Sequence, residues 1–99
     1  MIRHIVSWKL AAKEEPAKAE GYQAIAGALL PLAQVIPEIL AIGVERNIAY
    51  PESNWDVVLV ADFETLEDLE SYQRHPDHVA ATAVVRSQVA ERVAVDIRL

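Results

Sequence analysis

Residues 2–10 read IRHIVSWKL, and the interpretation of the fold begins with this stretch. Its even positions are apolar apart from one histidine, whereas its odd positions are charged or polar apart from Ile5. An alternation with a period of two is typical of a β-strand that buries one face. The pattern therefore predicts an N-terminal strand whose buried face carries Ile2, His4, Val6, Trp8 and Leu10.

The stretch that follows predicts an amphipathic helix. Pro16 suits the first turn of a helix, and apolar residues then recur every three or four positions. Pro31 interrupts this pattern, because its ring would clash with the carbonyl group of Gly27. We expect a kink or an early end at residues 30–31, with one more helical turn before Pro37.

The second half of the chain predicts two short helices that divide at Pro76. Thr65 is followed three positions later by Asp68, a spacing that predicts a helix start capped by the threonine hydroxyl. That helix must end by His75, because a residue before proline is disfavoured in the helical conformation. The remaining predicted elements are a helix over residues 76–88 and strands over residues 39–48, 55–63 and 92–99.

The resulting order of elements, β-α-β-β-α-α-β, predicts the fold class. Each βαβ unit has the helix that a right-handed crossover requires. This order is typical of the α+β, ferredoxin-like split βαβ arrangement. We expect one domain over residues 1–99, with a four-stranded antiparallel sheet and the helices on one of its faces.

The second face of that sheet is also apolar at its centre. Its predicted members there are Ile5, Ser7, Val58, Val60, Val93, Val95, Ile97 and Leu99. The mean hydropathy is +0.13, high for a chain of 99 residues that has little room for a core. A sheet that is apolar on both faces predicts a homodimer in which the sheets of the two subunits stack face to face. The alternative is a monomer whose second sheet face is half-apolar.

Composition excludes several classes of function. The formal net charge is −6 and no run of Lys or Arg is present, which argues against binding to nucleic acid or to an anionic membrane surface. The chain has no cysteine, so disulfides, thiolate metal sites and cysteine nucleophiles are excluded. The sequence shows neither a signal peptide nor a transmembrane segment, which predicts a cytoplasmic protein.

Six segments of the chain resemble one known family. They are IRHIV at residues 2–6, IP at 36–37, WD at 55–56, FET at 63–65, YQRHPDHV at 72–79 and VAVD at 93–96. Together they resemble the stress-responsive dimeric α/β-barrel (Dabb) family, and the likeness extends over nearly the whole chain. The resemblance implies a homodimer of ferredoxin-like subunits. We expect no cofactor.

A candidate site is predicted in the layer between sheet and helices. His4, Tyr72 and His78 come from three separate elements and should all point into this layer. An aliphatic pocket with a few convergent polar groups is the usual form of a small-molecule site. The other predicted lining residues are Val6, Trp8, Ile25, Leu29, Val57, Leu59 and His75.

The residue types at this site suit proton removal next to a carbonyl group. Histidine titrates near neutral pH and can act as the base, while a tyrosine hydroxyl can donate to the oxygen as charge develops. By resemblance to the plant polyketide cyclase of the family, His78 would be the base and Tyr72 the hydrogen-bond donor. This chain departs from the cyclase at Val57, which stands in place of a histidine, and at Arg92, which stands in place of an apolar residue.

Three alternatives to a carbonyl-binding pocket remain open. The first is a polyketide-cyclase-like enzyme, and the second a cofactor-free monooxygenase like those of related dimeric barrels. The third is a non-catalytic stress or interaction protein, in which His4 is a hydrogen-bonded core residue, His75 caps a helix, and His78 locks against Tyr72.

No metal site is predicted from side chains. His75 and His78 are three positions apart, but the proline between them and the lack of a Glu-x-x-His pattern disfavour a tight site. Resemblance to some plant relatives implies one alternative, a magnesium ion held on backbone carbonyls near Ala33, Ile36 and Ile39.

Overall fold

The computed structural model describes residues 1–99 and contains four strands and three α-helices, joined in the predicted order. The elements are β1 (Ile2–Leu10), α1 (Ala17–Leu29), β2 (Ala41–Arg46), β3 (Val57–Phe63), α2 (Leu66–Arg74), α3 (Pro76–Gln88) and β4 (Val89–Arg98). A 3₁₀ helix, Leu30–Gln34, continues α1. None of the helices is both long enough and apolar enough to cross a membrane.

The four strands form one antiparallel sheet in the order β2-β3-β1-β4. The central strand β1 pairs with both β3 and β4, so that Ile5 lies opposite Val60 on one side and Val95 on the other. This topology confirms the ferredoxin-like α+β fold predicted from the order of the elements.

The hydrophobic core lies between the sheet and the helices. Alternate residues of β1, beginning at Ile2 and ending at Leu10, are buried, as the period of two predicts. The helices contribute Ile25, Leu29, Leu69, Tyr72 and Val85 to the same core. The opposite face of the sheet carries no helix, so its side chains, apart from the buried Asp62, are half-buried or exposed.

Three predicted helix signals act as expected. α1 ends at Leu29, and the chain tightens into a 3₁₀ helix that contains Pro31, since proline cannot continue the α-helical ladder. Thr65 Oγ1 accepts a hydrogen bond from the Asp68 amide at 3.1 Å. His75 ends α2 and caps α3, because its Nδ1 accepts from the Asp77 amide at 3.1 Å.

The predicted ends of three strands are wrong. β2 is shorter than residues 39–48, because the Ile39 amide bonds to the Ile36 carbonyl in the preceding turn and Ile48 lies fully in solvent. β3 begins at Val57 rather than at residue 55. β4 begins three residues earlier than predicted, at Val89, because the partner strand β1 continues to pair with it as far as Leu10.

Candidate functional site

A cavity of about 430 Å³ opens between the helix-covered face of the sheet and the helices α2 and α3. Cavities of 300–1,000 Å³ are typical of small-molecule sites. The lining residues are His4, Val6, Trp8, Leu29, Leu59, Tyr72, Gln73, His78, Thr82, Val85, Arg86, Val89 and Arg92.

Two periodicities bring the lining together. In β1 the period of two directs His4, Val6 and Trp8 to the same face of the sheet. In α3, His78 and Thr82 are four positions apart, so that their side chains lie one above the other along the cavity. The cavity therefore has one wall of sheet and one wall of helix.

His4, Tyr72 and His78 lie close together in the lining of this cavity. The Tyr72 ring centroid lies 4.3 Å from that of His78 and 6.3 Å from that of His4. Phe63 packs against the same tyrosine at 5.0 Å and supports it from the core side. The structure thus brings together the three proton-competent groups that the sequence placed on separate elements.

His78 has one ring nitrogen engaged and one free. Its Nδ1 lies 3.1 Å from the backbone carbonyl oxygen of Gln73, which can only accept, so Nδ1 carries the proton. The lone pair of the neutral ring is therefore on Nε2. Burial lowers the pKa of His78 below its ordinary value, and repulsion from His4, Arg92 and His75 lowers it further; together these effects outweigh the hydrogen bond to the Gln73 carbonyl, which raises the pKa. The ring is consequently held in the neutral form that a base requires.

Tyr72 is held as a hydrogen-bond donor. Its side chain is only 1% exposed, and this burial raises the pKa of the phenol to about 12. The hydroxyl makes no hydrogen bond to the protein, and the protein does not enclose it fully. Because Tyr72 lines the cavity, the hydroxyl is accessible from there. A neutral hydroxyl at this point can donate to an oxygen atom of a ligand.

His4 has a partner that the sequence did not indicate. Its Nδ1 lies 2.5 Å from Asp96 Oδ1, and the two residues face each other in the register between β1 and β4. The bond to one ring nitrogen determines which nitrogen is left for other contacts. Asp96 therefore fixes the orientation of the buried His4 ring beside Tyr72.

Three residues predicted to line the site do not line it. Ile25 and Val57 are fully packed in the core, so they hold the walls without reaching the cavity. The side chain of His75 caps α3 and does not reach the cavity. Conversely, Gln73 and Arg86 line the cavity without having been predicted. Arg86 lies eight positions after His78, a spacing that keeps both side chains on one face of α3 and could have revealed it.

The magnesium possibility gains no support from side chains. No group of three or more His, Asp or Glu residues is arranged to hold a metal ion. The carbonyl of Ile36 already accepts the amide of Ile39 at 3.2 Å. Magnesium at this turn stays an expectation from the resemblance.

Two solved structures of dimeric ferredoxin-like proteins are similar to this chain over nearly its whole length. A ferredoxin-like protein of unknown function from Bacteroides fragilis NCTC 9343, described as dimeric, shares 29% identity at a TM-score of 0.87, covering 99% of this chain and 95% of its own. Another dimeric ferredoxin-like protein, from Thermobifida fusca YX, shares 33% identity at a TM-score of 0.82, with coverages of 99% and 90%.

A cofactor-independent oxygenase from Streptomyces nogalater shares the fold at 10% identity and a TM-score of 0.77, covering 99% of this chain and 91% of its own. At that identity the likeness concerns the fold alone. No curated protein matches the sequence. The model of the stress responsive A/B barrel domain matches residues 2–99, and the chain belongs to this family, Dabb.

Proposed function

We propose that the cavity binds a small molecule with a carbonyl group, and that His78 removes a proton from the carbon next to that carbonyl. The observation that carries the proposal is the pairing of a neutral His78 with a protonated Tyr72, 4.3 Å apart between ring centroids, in one mostly apolar cavity. The two groups are held in opposite roles, acceptor and donor, by burial and by the Gln73 carbonyl.

The proposed step is an enolisation. The proton of the C–H bond passes to Nε2 of His78, and the electron pair of that bond forms a C=C bond. Negative charge then collects on the former carbonyl oxygen, where the Tyr72 hydroxyl stabilises it. The enolate would be the nucleophile of an aldol cyclisation, the reaction that resemblance to the plant cyclase implies.

The test is hydrogen–deuterium exchange of acetophenone in D₂O, followed by the loss of its methyl signal in proton NMR. The wild-type protein should accelerate the exchange over buffer, because the methyl protons lie next to the carbonyl. His78→Asn should abolish most of this acceleration, since asparagine supplies an N–H for the Gln73 carbonyl but no basic nitrogen. Tyr72→Phe should reduce it by about 10²- to 10³-fold, the usual effect of losing one donor to the developing oxyanion.

Tyr50→Phe serves as the control, because Tyr50 is 73% exposed and lies outside the cavity. It should exchange like the wild type. Equal acceleration by the wild type and His78→Asn, or none by the wild type, would contradict enolisation by His78.

A second candidate is a structural role without catalysis. It is favoured by the bond from His78 in α3 to the carbonyl of Gln73 in α2, which ties the two short helices together. In that case His78→Ala should lower the melting temperature, His78→Asn should preserve it, and neither variant nor the wild type should alter exchange. The same set of variants therefore separates the two candidates.

We also propose that the protein is a homodimer that buries the open face of the sheet. The apolar side chains of this face are Ile5, Val58, Val60, Val93, Val95, Ile97 and Leu99, and the last four are 39–56% exposed in the single chain. The relatives at 29% and 33% identity are described as dimeric, which supports the proposal. An exposed apolar area of this kind is unusual for a monomer.

A further inference from the structure

The charged side chains that line the cavity are both positive, and Asp96, which bonds to the lining residue His4, does not itself line it. Arg86 and Arg92 line it, whereas none of the 15 Asp and Glu residues of the chain does. The protein as a whole has a formal net charge of −6. A cleft lined by charges of one sign concentrates ligands of the opposite sign, so this cavity should attract anions although the rest of the molecule repels them.

Neither arginine is neutralised by a carboxylate. Arg3 pairs with Asp62 and Arg46 pairs with Glu15, but no carboxylate lies within ion-pair distance of Arg86 or Arg92. The only side-chain partner of Arg86 is Thr82 Oγ1, 3.3 Å from its Nη2. Both guanidinium groups are therefore available to a ligand.

The two arginines approach the cavity from opposite walls. Arg86 belongs to α3, whereas Arg92 belongs to β4, where it lies opposite Trp8 and shares the helix-covered face of the sheet. Both arginines are exposed, whereas His78 is half-buried and His4 and Tyr72 are buried, so the arginines form the rim and the proton-competent groups lie deeper.

From this arrangement we infer that the ligand is a carbonyl-bearing carboxylate, with its carboxylate at the rim and its carbonyl deeper in the cavity. Guanidinium groups match carboxylate oxygens in geometry and form charge-assisted hydrogen bonds with them. The inference rests on the proposed function, because it takes this cavity as the ligand site. To the proposed carbonyl group of the ligand it adds a negative charge and the distance between the two groups.

A carboxylate suits the rim better than a phosphate. Arg86 lies in the last turn of α3, where the helix dipole presents partial negative charge and favours cations over anions. Phosphate sites instead use the amide groups of a helix N-terminus, and the N-terminal cap of α3 is formed by His75, which does not line the cavity. The excess of positive charge at the rim is therefore modest and fits a monoanion.

The spacing along α3 sets the distance between the two functional groups of the ligand. The Arg86 guanidinium bonds to Thr82, one helical turn from His78, and four residues of α-helix rise about 6 Å. The carboxylate and the reacting carbonyl are therefore separated by several carbon atoms or an aromatic ring. This spacing excludes 2-oxo acids, in which the two groups are directly bonded.

The test compares 4-acetylbenzoate with 4-acetylbenzamide, which has the same shape without the charge. Both are titrated into the protein, and dissociation constants are measured from chemical-shift changes in NMR spectra. The benzoate should bind on the order of tenfold more tightly, the effect of one charge-assisted hydrogen bond. Arg86→Gln and Arg92→Gln should each remove most of that preference and leave benzamide binding unchanged.

Arg98→Gln is the matched control, because it makes the same charge change on the same strand and outside the cavity. It should keep the preference for the benzoate. Four results would each overturn the inference. They are equal affinity for the two probes, no binding of 4-acetylbenzoate, an equal loss of the preference in Arg98→Gln, and tighter binding of inorganic phosphate than of 4-acetylbenzoate.

The two proposals fail in different ways. If enolisation is wrong, His78→Asn exchanges acetophenone like the wild type, while the preference for 4-acetylbenzoate persists. If the carboxylate assignment is wrong, exchange of the neutral ketone still depends on His78, while the preference is absent.

Discussion

At the scale of the residue, the proposed chemistry of the site depends on the protonation state of His78. The imidazole donates from Nδ1 to a carbonyl oxygen that cannot donate back, and burial disfavours its charged form. Tyr72, packed against it, is buried more deeply and keeps its proton, with a pKa of about 12. Burial thus favours the neutral form of both the His78 imidazole and the Tyr72 phenol, so the two groups do not form an ion pair.

The lowered pKa of His78 predicts an acid-sensitive fold. In the unfolded chain the imidazole takes up a proton as the pH falls below about 6.5, whereas in the folded protein it resists protonation until a lower pH. The unfolded state therefore binds more protons in this window, and the free energy of unfolding decreases as the pH falls. Above the ordinary pKa this penalty is absent.

Urea denaturation of the wild type and His78→Asn at a series of pH values checks this prediction. The variant lacks the titrating group, so its stability should decrease less steeply below pH 6.5 or so. All other groups are common to the two proteins and cancel in the difference. Parallel curves for the two proteins would show that the folded His78 titrates normally.

The site shows which residue-scale facts a sequence reveals. Period and spacing were sufficient to bring His4, Tyr72 and His78 into one layer, because they depend only on which face a residue occupies. They were not sufficient for Ile25 and Val57, since facing the layer does not determine whether the space beside a side chain is filled or open. The partner of His4 depends on the register between the first and last strands, which no local pattern contains.

At the scale of the element, local signals determined the helices better than the strands. Proline positions and caps act within a few residues, so Pro31, Thr65 and His75 ended or began helices where predicted. Strand ends depend on a partner distant in sequence. β4 extends to Val89 because β1 offers unpaired backbone groups as far as Leu10, despite the register shift there.

The cap of α2 gives a prediction at this scale. Thr65→Ala should lower the free energy of unfolding by about 1 kcal/mol, because it removes the acceptor for the Asp68 amide. Thr65→Ser retains the hydroxyl and should stay close to the wild type. Ser87→Ala removes an exposed hydroxyl from within α3 and should change the stability little. Thermal unfolding followed by circular dichroism measures all three, and equal effects of the two Thr65 variants would exclude a capping role.

At the scale of the whole molecule, the two faces of the sheet have different roles. One face, with the helices, holds the core and the cavity, while the other presents the aliphatic side chains proposed to meet a second copy. Arg3 and Asp62 bond at 2.8 and 3.0 Å at one end of this open face, and the bonds from Arg3 hold the pKa of the Asp62 carboxyl below its usual range. The charged groups lie at the margin and leave the centre of the face apolar, the pattern of an interface with a polar rim.

A charge placed on the apolar part of that face should separate the subunits. Val95 lies opposite Ile5, midway along the edge strand β4, and is 55% exposed in the single chain, so Val95→Asp would bury an unpaired carboxylate in a dimer but leave it in water in a monomer. Val79 is equally exposed, at 55%, but lies on α3 away from this face, and Val79→Asp should not change the association. Light scattering after size-exclusion chromatography should give twice the mass of one chain for the wild type and Val79→Asp, and the mass of one chain for Val95→Asp. A monomeric wild type, or a dimeric Val95→Asp, would show that the open face is not the dimer interface.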